Sequence, residues 1–239
     1  MQIAKVAEGL CSLFYPAACA VCGEAVARNE YLCGNCEARA PRIVAPFCAK
    51  CSEPFSGAID GEFTCTNCER RQLDFDAAVS AYRSRGIVRS LILQFKYHRA
   101  LYLRDPIGRW VCEALADERL RRRAFDVVVP VPLHAARLRE RGFNQADLLA
   151  RILSTHMGVP VRPALERRRY TTTQTAFDRA ERLENLRGAF RLREKVTVRD
   201  SRVLLVDDVL TTGSTLSECA RVMGEAGADS VYAVTAARA

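Results

Sequence analysis

No stretch of this sequence is apolar for the roughly 20 residues that a bilayer-spanning helix needs, although 49% of its 239 residues are hydrophobic. The opening segment, MQIAKVAEGLCSLFYP, lacks the continuous apolar run and cleavage site of a secretory leader, and Lys5 and Glu8 interrupt it. Long apolar runs are scarcest in the first seventy residues, too few to build a core unaided. A transmembrane helix is thereby excluded, and the expectation is a soluble, cytoplasmic protein without membrane insertion. The hydrophobic content also excludes disorder for most of the chain.

Charge is abundant but lopsided. The formal net charge is +8, from 36 Lys/Arg against 28 Asp/Glu. Residues 1–70 carry a slight acidic excess, so the basic surplus lies beyond them. It gathers in residues 119–123, in Arg137, Arg139 and Arg141, and along residues 162–199. Such a field favours anionic ligands, meaning phosphates, pyrophosphate or nucleic acid. A solvated arginine-rich surface has the same composition.

Eight of the eleven cysteines stand in four C-x-x-C pairs: Cys19/Cys22, Cys33/Cys36, Cys48/Cys51 and Cys65/Cys68. One such turn points two thiolates at one ion, and two turns close a tetrahedral site. Ten residues separate Cys22 from Cys33 and thirteen separate Cys51 from Cys65, spacings that suit two successive zinc ribbons. Gly23, just after the first pair, suits a backbone that curls around metal. Disulfides would need an oxidising compartment, a thioredoxin-like redox site would use one pair, and an iron–sulfur cluster is less suited to ribbon-length spacers. Sequential pairing is the expectation, with interleaving of the first pair with a later one left open. Four thiolates leave no open coordination position, so two structural Zn2+ are expected, supplying folding energy that the small core cannot. Cys11, Cys112 and Cys219 are read as ordinary buried residues.

The remainder alternates strands and helices. Strands are expected over 77–82, 126–129, 159–165, 203–206 and 230–235. Apolar residues at Ile87, Val88, Leu91, Ile92 and Phe95 have helical spacing, and further helices are expected over 104–122, 144–157 and 214–226. Pro130 and Pro132 break the second strand, and Gly158 and Gly227 end helices. Residues 166–199 read as irregular. The alternation predicts an α/β fold, a parallel sheet flanked by helices, with a Cys-rich module over 1–70 and the α/β domain over 71–239. Ligands in such sheets sit beyond the carboxyl ends of strands.

One stretch there carries chemistry: VLLVDDVLTTGST, residues 203–215. Four apolar residues deliver Asp207 and Asp208 to the sheet edge, where carboxylates suit ribose hydroxyls or Mg2+. Thr211, Thr212, Gly213, Ser214 and Thr215 then turn into a helix, whose first N–H groups attract phosphate. Together they predict a ribose 5-phosphate site, against the simpler reading of a well-capped turn.

This motif resembles the phosphoribosyl-pyrophosphate (PRPP) loop of type I phosphoribosyltransferases. With the cysteine pairs, VVVPVPLHAARLRERGFNQADLLA and TTTQTAFDRAERLENLRGAF, the chain resembles the ComF family, a double zinc ribbon ahead of a type I phosphoribosyltransferase-like domain. The resemblance implies that Asp207 and Asp208 hold ribose hydroxyls and Mg2+, and that Thr211 to Thr215 hold the 5-phosphate. It implies a pyrophosphate loop at Val131, Pro132, Leu133 and His134, with Arg137 and Arg141 as partners of the leaving group. A lid is implied over 167–177 and a hood over 72–102, although no residue there names a nucleobase. The implied reaction displaces pyrophosphate from PRPP by a nitrogen nucleophile, with Mg2+ on the pyrophosphate. The implied role is DNA uptake in natural transformation, with single-stranded DNA and uptake proteins as partners. Nucleobase salvage, or PRPP sensing without turnover, fits the same loop.

Overall fold

The computed structural model describes residues 17–27, 30–59, 61–169 and 186–239. Cys11 and most of the expected lid, residues 170–177, lie outside them. In chain order the elements are α1 (Gly34–Ala38), α2 (Thr66–Glu69), β1 (Ala78–Arg83), α3 (Gly86–Tyr97), α4 (Arg104–Ala114), α5 (Glu118–Arg121), β2 (Val127–Pro130), α6 (Ala135–Arg141), α7 (Gln145–Met157), β3 (Leu165–Arg167), β4 (Phe190–Leu192), β5 (Arg202–Leu210), α8 (Ser214–Glu225) and β6 (Ser230–Arg238).

Strands β1, β6, β5 and β2 form one sheet in that spatial order, and every neighbouring pair is parallel. Side chains alternate along a strand, so Leu204 and Val206 of β5 join one core while Val203 and Leu205 join the other. The first core is filled from α3, α4 and α7 by Phe95, Ile107, Trp110 and Leu149. The second is filled from α8 and the antiparallel pair β3 and β4 by Leu216, Met223, Leu165 and Phe190. Covered faces explain why β5 reads as a continuous apolar run.

Both sheet edges are capped by the chain. On the β2 side, residues around Val161 run parallel to it, with Val128 donating to the Pro160 carbonyl and accepting from Arg162, both at 2.9 Å. On the β1 side the cysteine-rich segment adds an antiparallel bridge at Arg42–Tyr82, supported by Ile43 N–H donating to Ala81 O at 2.9 Å. Such capping removes exposed edges.

Several boundaries differ from expectation, each for a local reason. The strand expected over 126–129 extends to Pro130, opposite Val206. The imide nitrogen there faces away from β5, because Val131 N–H makes the next bond to β5, at Val206 O. The helix expected over 104–122 breaks after Ala114. Asp117 caps a new turn, accepting from Arg119 N–H at 3.0 Å and gripping the Arg119 guanidinium at 2.7–2.8 Å. Arg119 then donates to the carbonyls of Cys48 and Ala49 at 3.2 and 2.9 Å, and to Ser52 Oγ at 2.9 Å. This arginine of the basic stretch is therefore a clasp on the second ribbon. Residues 166–199, read as irregular, contribute most of the antiparallel β3–β4 pair. Strands β5 and β6 run four and three residues beyond their expected ends, pairing through Asp207–Thr235 and Val209–Ala237.

Asn144 caps α7 through its side chain, accepting from Ala146 N–H at 3.1 Å, and Gly158 at φ 68° ends it. Where α4 crosses α7, Gly108 leaves no room for a side chain: a Cβ there would stand 2.5 Å from Ile152 Cδ1 and 3.0 Å from its Cγ2. Overpacking costs about 1–3 kcal/mol, more than the few tenths by which valine's helix propensity exceeds glycine's. Gly108→Val is expected to lower stability by about that amount in urea unfolding, and an unchanged midpoint would contradict this packing.

Candidate functional site

The cysteines assemble as two sequential clusters. Cys19, Cys22, Cys33 and Cys36 bring their sulfurs within 4.8 Å of one another, as do Cys48, Cys51, Cys65 and Cys68. Cys22 and Cys33 are 3.6 Å apart, as are Cys51 and Cys65. Thiolates bound about 2.3 Å from a tetrahedral zinc stand about 3.8 Å apart, whereas a disulfide requires about 2.05 Å. The geometry fits zinc, and the described cysteines are not disulfide-bonded. Backbone N–H groups aim at the sulfurs, from Cys36 to Cys33 Sγ at 3.4 Å and from Cys65 to Cys48 Sγ at 3.3 Å. Gly23 takes φ 76° after the first knuckle, as expected. The matching residue of the second is Ser52, at φ 58° and fully buried. Its hydroxyl donates to Ala78 O at 3.0 Å and accepts from Ser80 N–H at 3.3 Å, bonds that hold the strained backbone to β1. Of the other thiols, Cys219 is buried and inert, its pKa raised by burial, while Cys112 is only half-buried.

At the carboxyl end of β5 the acidic pair is more enclosed than expected. The strand continues through Asp207 and Asp208; Asp208 is 2% exposed and Asp207 half-buried. Lys96, from the last turn of α3, meets Asp208 Oδ2 at 2.5 Å. Burial alone would raise the Asp208 pKa, but the Lys96 ammonium, with Arg141 adding, holds it below the usual carboxylate range. Asp207 goes the other way. Burial and the adjacent Asp208 charge push it up to about 8 against the opposing pull of Lys96. The two carboxyls are thus set apart, Asp208 toward the ionised form and Asp207 toward the protonated one.

The loop follows directly on the end of β5. Thr211 is exposed, Thr212 and Thr215 are half-buried, and Gly213 and Ser214 are buried. Gly213 is the N-cap of α8 at φ 81° and has no side chain with which to cap it. Ser214 N–H, the first amide of the helix, instead donates to Thr212 Oγ1 at 3.4 Å, a long bond in place of the cap that a serine, threonine or aspartate at the N-cap position would make. Thr212 Oγ1 and Ser214 Oγ lie 2.8 Å apart.

The other anticipated residues are placed less uniformly. Val131 N–H is engaged by Val206 O, its carbonyl accepts from Asn144 Nδ2 at 3.0 Å, and Pro132 has no N–H. Leu133 and His134 are half-buried, and His134 caps α6, its Nδ1 accepting from Ala136 N–H at 3.2 Å. Arg141 donates to Gln145 Oε1 at 2.5 Å and lies over the Tyr97 ring at 5.3 Å, beside the acidic pair. Arg137 lies nearer Arg167, whose pKa is lowered by burial and then by the Arg137 charge. Arg167, the first residue of the expected lid, belongs to β3 and packs over Phe190.

Sequence reasoning placed Lys96 only inside a hood segment. Its signal was rarity, since it is one of four lysines among 36 basic residues.

The raised pKa of Asp207 has a definite sign in stability. Protonation favours the folded state, so this contribution is full below about pH 4, shrinks as pH rises and is lost above about 8. Relative to wild type, Asp207→Asn is expected to gain stability as pH rises through that window in metal-free buffer. A difference that stays constant with pH would contradict the assigned burial.

Residues 10–69 match the double zinc ribbon domain and residues 106–239 the phosphoribosyl transferase domain. Competence protein F of Haemophilus influenzae is 30% identical over 218 residues, covering 90% of this chain and 93% of its own. DNA utilization protein YhgH of Salmonella typhimurium is 32% identical over 227 residues, covering 92% and 96%. A solved glutamine PRPP amidotransferase from B. subtilis overlaps 54% of this chain and 25% of its own at 25% identity, with a TM-score of only 0.36. Two four-cysteine clusters packed against a parallel sheet, and similarity over nine-tenths of the chain, place this protein in the ComF family, with a double zinc ribbon and a type I phosphoribosyltransferase fold.

Proposed function

We propose that this protein binds PRPP with Mg2+ and acts in DNA uptake on incoming single-stranded DNA. One observation carries the ligand: an acidic pair at the end of a central parallel strand, with Asp208 buried, joined by a short loop to a helix whose N-cap is a glycine with no side chain to close it. Asp207 and Asp208 would receive the ribose hydroxyls and Mg2+, and the amides and hydroxyls of Thr212 to Thr215 the 5-phosphate. Leu133, His134, Arg137 and Arg141 would line the pyrophosphate side. Val131 and Pro132 would shape that loop without donating to it, since neither has a backbone N–H to spare. Mg2+ on the pyrophosphate supplies Lewis-acid help to a leaving group. The chain's own residues bind and orient.

The DNA role rests on relatives named for competence and DNA utilization, and on the positive field of the chain. That field is smaller than the composition suggests. Arg119, Arg151, Arg202 and Arg221 are each paired with a carboxylate. Among the described residues, no helix is long and apolar enough to cross a membrane.

Removing both carboxylates does not leave the fold untouched, because Asp208→Asn strands the buried Lys96 ammonium, a change that costs about 3–5 kcal/mol. Asp207→Asn keeps the ion pair and separates binding from folding. Asp207 would give up its proton on receiving Mg2+ and the ribose hydroxyls. A hydrogen bond to the carboxylate so formed is worth roughly 1.5–3 kcal/mol, so calorimetry is expected to show about tenfold weaker PRPP binding for Asp207→Asn. The double change is expected to bind more weakly still and to melt earlier. Equal affinity in wild type and Asp207→Asn would remove the acidic pair from the site.

Single-stranded DNA is expected to bind with little sequence preference and to weaken steeply as salt rises, because phosphate contacts release counterions. Absent or salt-independent binding would overturn the DNA reading in favour of nucleobase salvage.

A further inference from the structure

The segment leaving the second ribbon reaches across the fold to the loop at residues 211–215. Asn67, between two cysteines of that ribbon, donates to the Thr212 carbonyl at 3.4 Å. Arg71 Nη1 donates to the same carbonyl at 3.3 Å and to Asn67 Oδ1 at 3.1 Å, while Nη2 donates to Ser214 Oγ at 2.8 Å. The grip continues into α8. Asp74 N–H donates to Ser217 Oγ at 3.0 Å, and the Ser217 hydroxyl donates back to the Asp74 carboxylate at 2.6 Å. Leu73 and Phe75 back Gly213, standing 3.5–3.6 Å from where a Cβ would lie.

A trans peptide carries its C=O and N–H in opposite directions. Holding the Thr212 carbonyl from the ribbon side therefore aims the N–H of Gly213 away from the ribbon. A guanidinium on that carbonyl also polarises the peptide and makes its N–H a stronger donor. Gly213, in the left-handed region, cannot hold this plane by its own preference, because glycine adopts many backbone conformations. The plane is fixed from outside.

We propose that Asn67 and Arg71 are positioning residues of the phosphate loop, and that the second ribbon is the rear wall of that site. Neither side chain is placed against the phosphate. They orient the Gly213 amide and hold the loop so that a phosphate monoester meets formed donors. The anion's identity rests on the function proposed above. The clamp does not, and the test keeps the two apart.

The test uses the full-length, zinc-loaded protein and the variants Arg71→Met, Asn67→Ala and Arg71→Lys. Hydrogen exchange is followed on peptides covering residues 211–217, ribose 5-phosphate and PRPP binding by calorimetry, and zinc by metal analysis. In Arg71→Met the loop amides are expected to exchange at least about tenfold faster and both ligands to bind about tenfold more weakly. Zinc is expected to stay at two per chain and the rest of the sheet to keep its protection. Asn67→Ala is expected to move in the same direction by less, and Arg71→Lys to recover part of the loss. Faster loop exchange in a protein whose wild type binds neither ligand would uphold the clamp and sink the PRPP reading. Wild-type exchange in both Arg71→Met and Asn67→Ala would overturn the clamp. So would loss of zinc with protection falling throughout the chain in both variants, since the two side chains would then serve only the ribbon's own fold.

Discussion

Lys96 and Asp208 meet at 2.5 Å inside the protein, and much of the architecture at the top of the sheet answers to that contact. A central parallel strand has no water on either face, so acidic residues at its end are strongly destabilised by desolvation unless a cation meets them. The α3 helix supplies the cation from its last turn, and Arg141 of α6 adds to the field. One lysine cannot neutralise two carboxylates, and burial with the neighbouring charge shifts Asp207 toward its protonated form. The result is an acidic cluster whose two carboxyls are held at different charge. A fold with no use for such a pair would be more stable with apolar residues at both positions.

The zinc ribbons answer to the same constraint, a shortage of apolar surface where polar groups must be held. Their cysteines take part in the two cores that cover the sheet, Cys19, Cys33 and Cys36 in one and Cys48, Cys51 and Cys65 in the other. Ser52 ties the second knuckle to β1, Arg119 ties it to the turn after α4, and residues 41–43 extend the sheet itself. Metal closure makes this possible. Short segments with little apolar content become rigid around four thiolates and can then present polar side chains at fixed positions. Asn67 and Arg71 leave the second ribbon from such a frame.

What the sequence disclosed follows the range of the interactions concerned. Cysteine spacing, the apolar period of α3 and α7, the Gly158 stop and the buried run of β5 are local, and all were legible. So was the motif from Asp207 to Thr215. Contacts between distant segments were not. Nothing near Lys96 announces Asp208, more than a hundred residues away, and nothing in the run at 119–123 tells that Arg119 turns inward to the ribbon. The break after Ala114 depends on Asp117 finding Arg119, a choice that the apolar period through Leu115 does not reveal. The loop at residues 131–134 shows the same limit. Its sequence is right for a strand-end turn, yet the Val131 amide is engaged by the sheet, which only the register of β2 against β5 decides.

The central claim is that the enclosed acidic pair and the loop after it form one ligand site. A crystal structure of the protein with PRPP and Mg2+ tests this most directly. The account predicts ribose hydroxyls on Asp207 and Asp208, Lys96 within reach of the same carboxylates, and the 5-phosphate on the amides of residues 213–215. PRPP bound elsewhere, with the Lys96–Asp208 contact undisturbed and the loop empty, would contradict it.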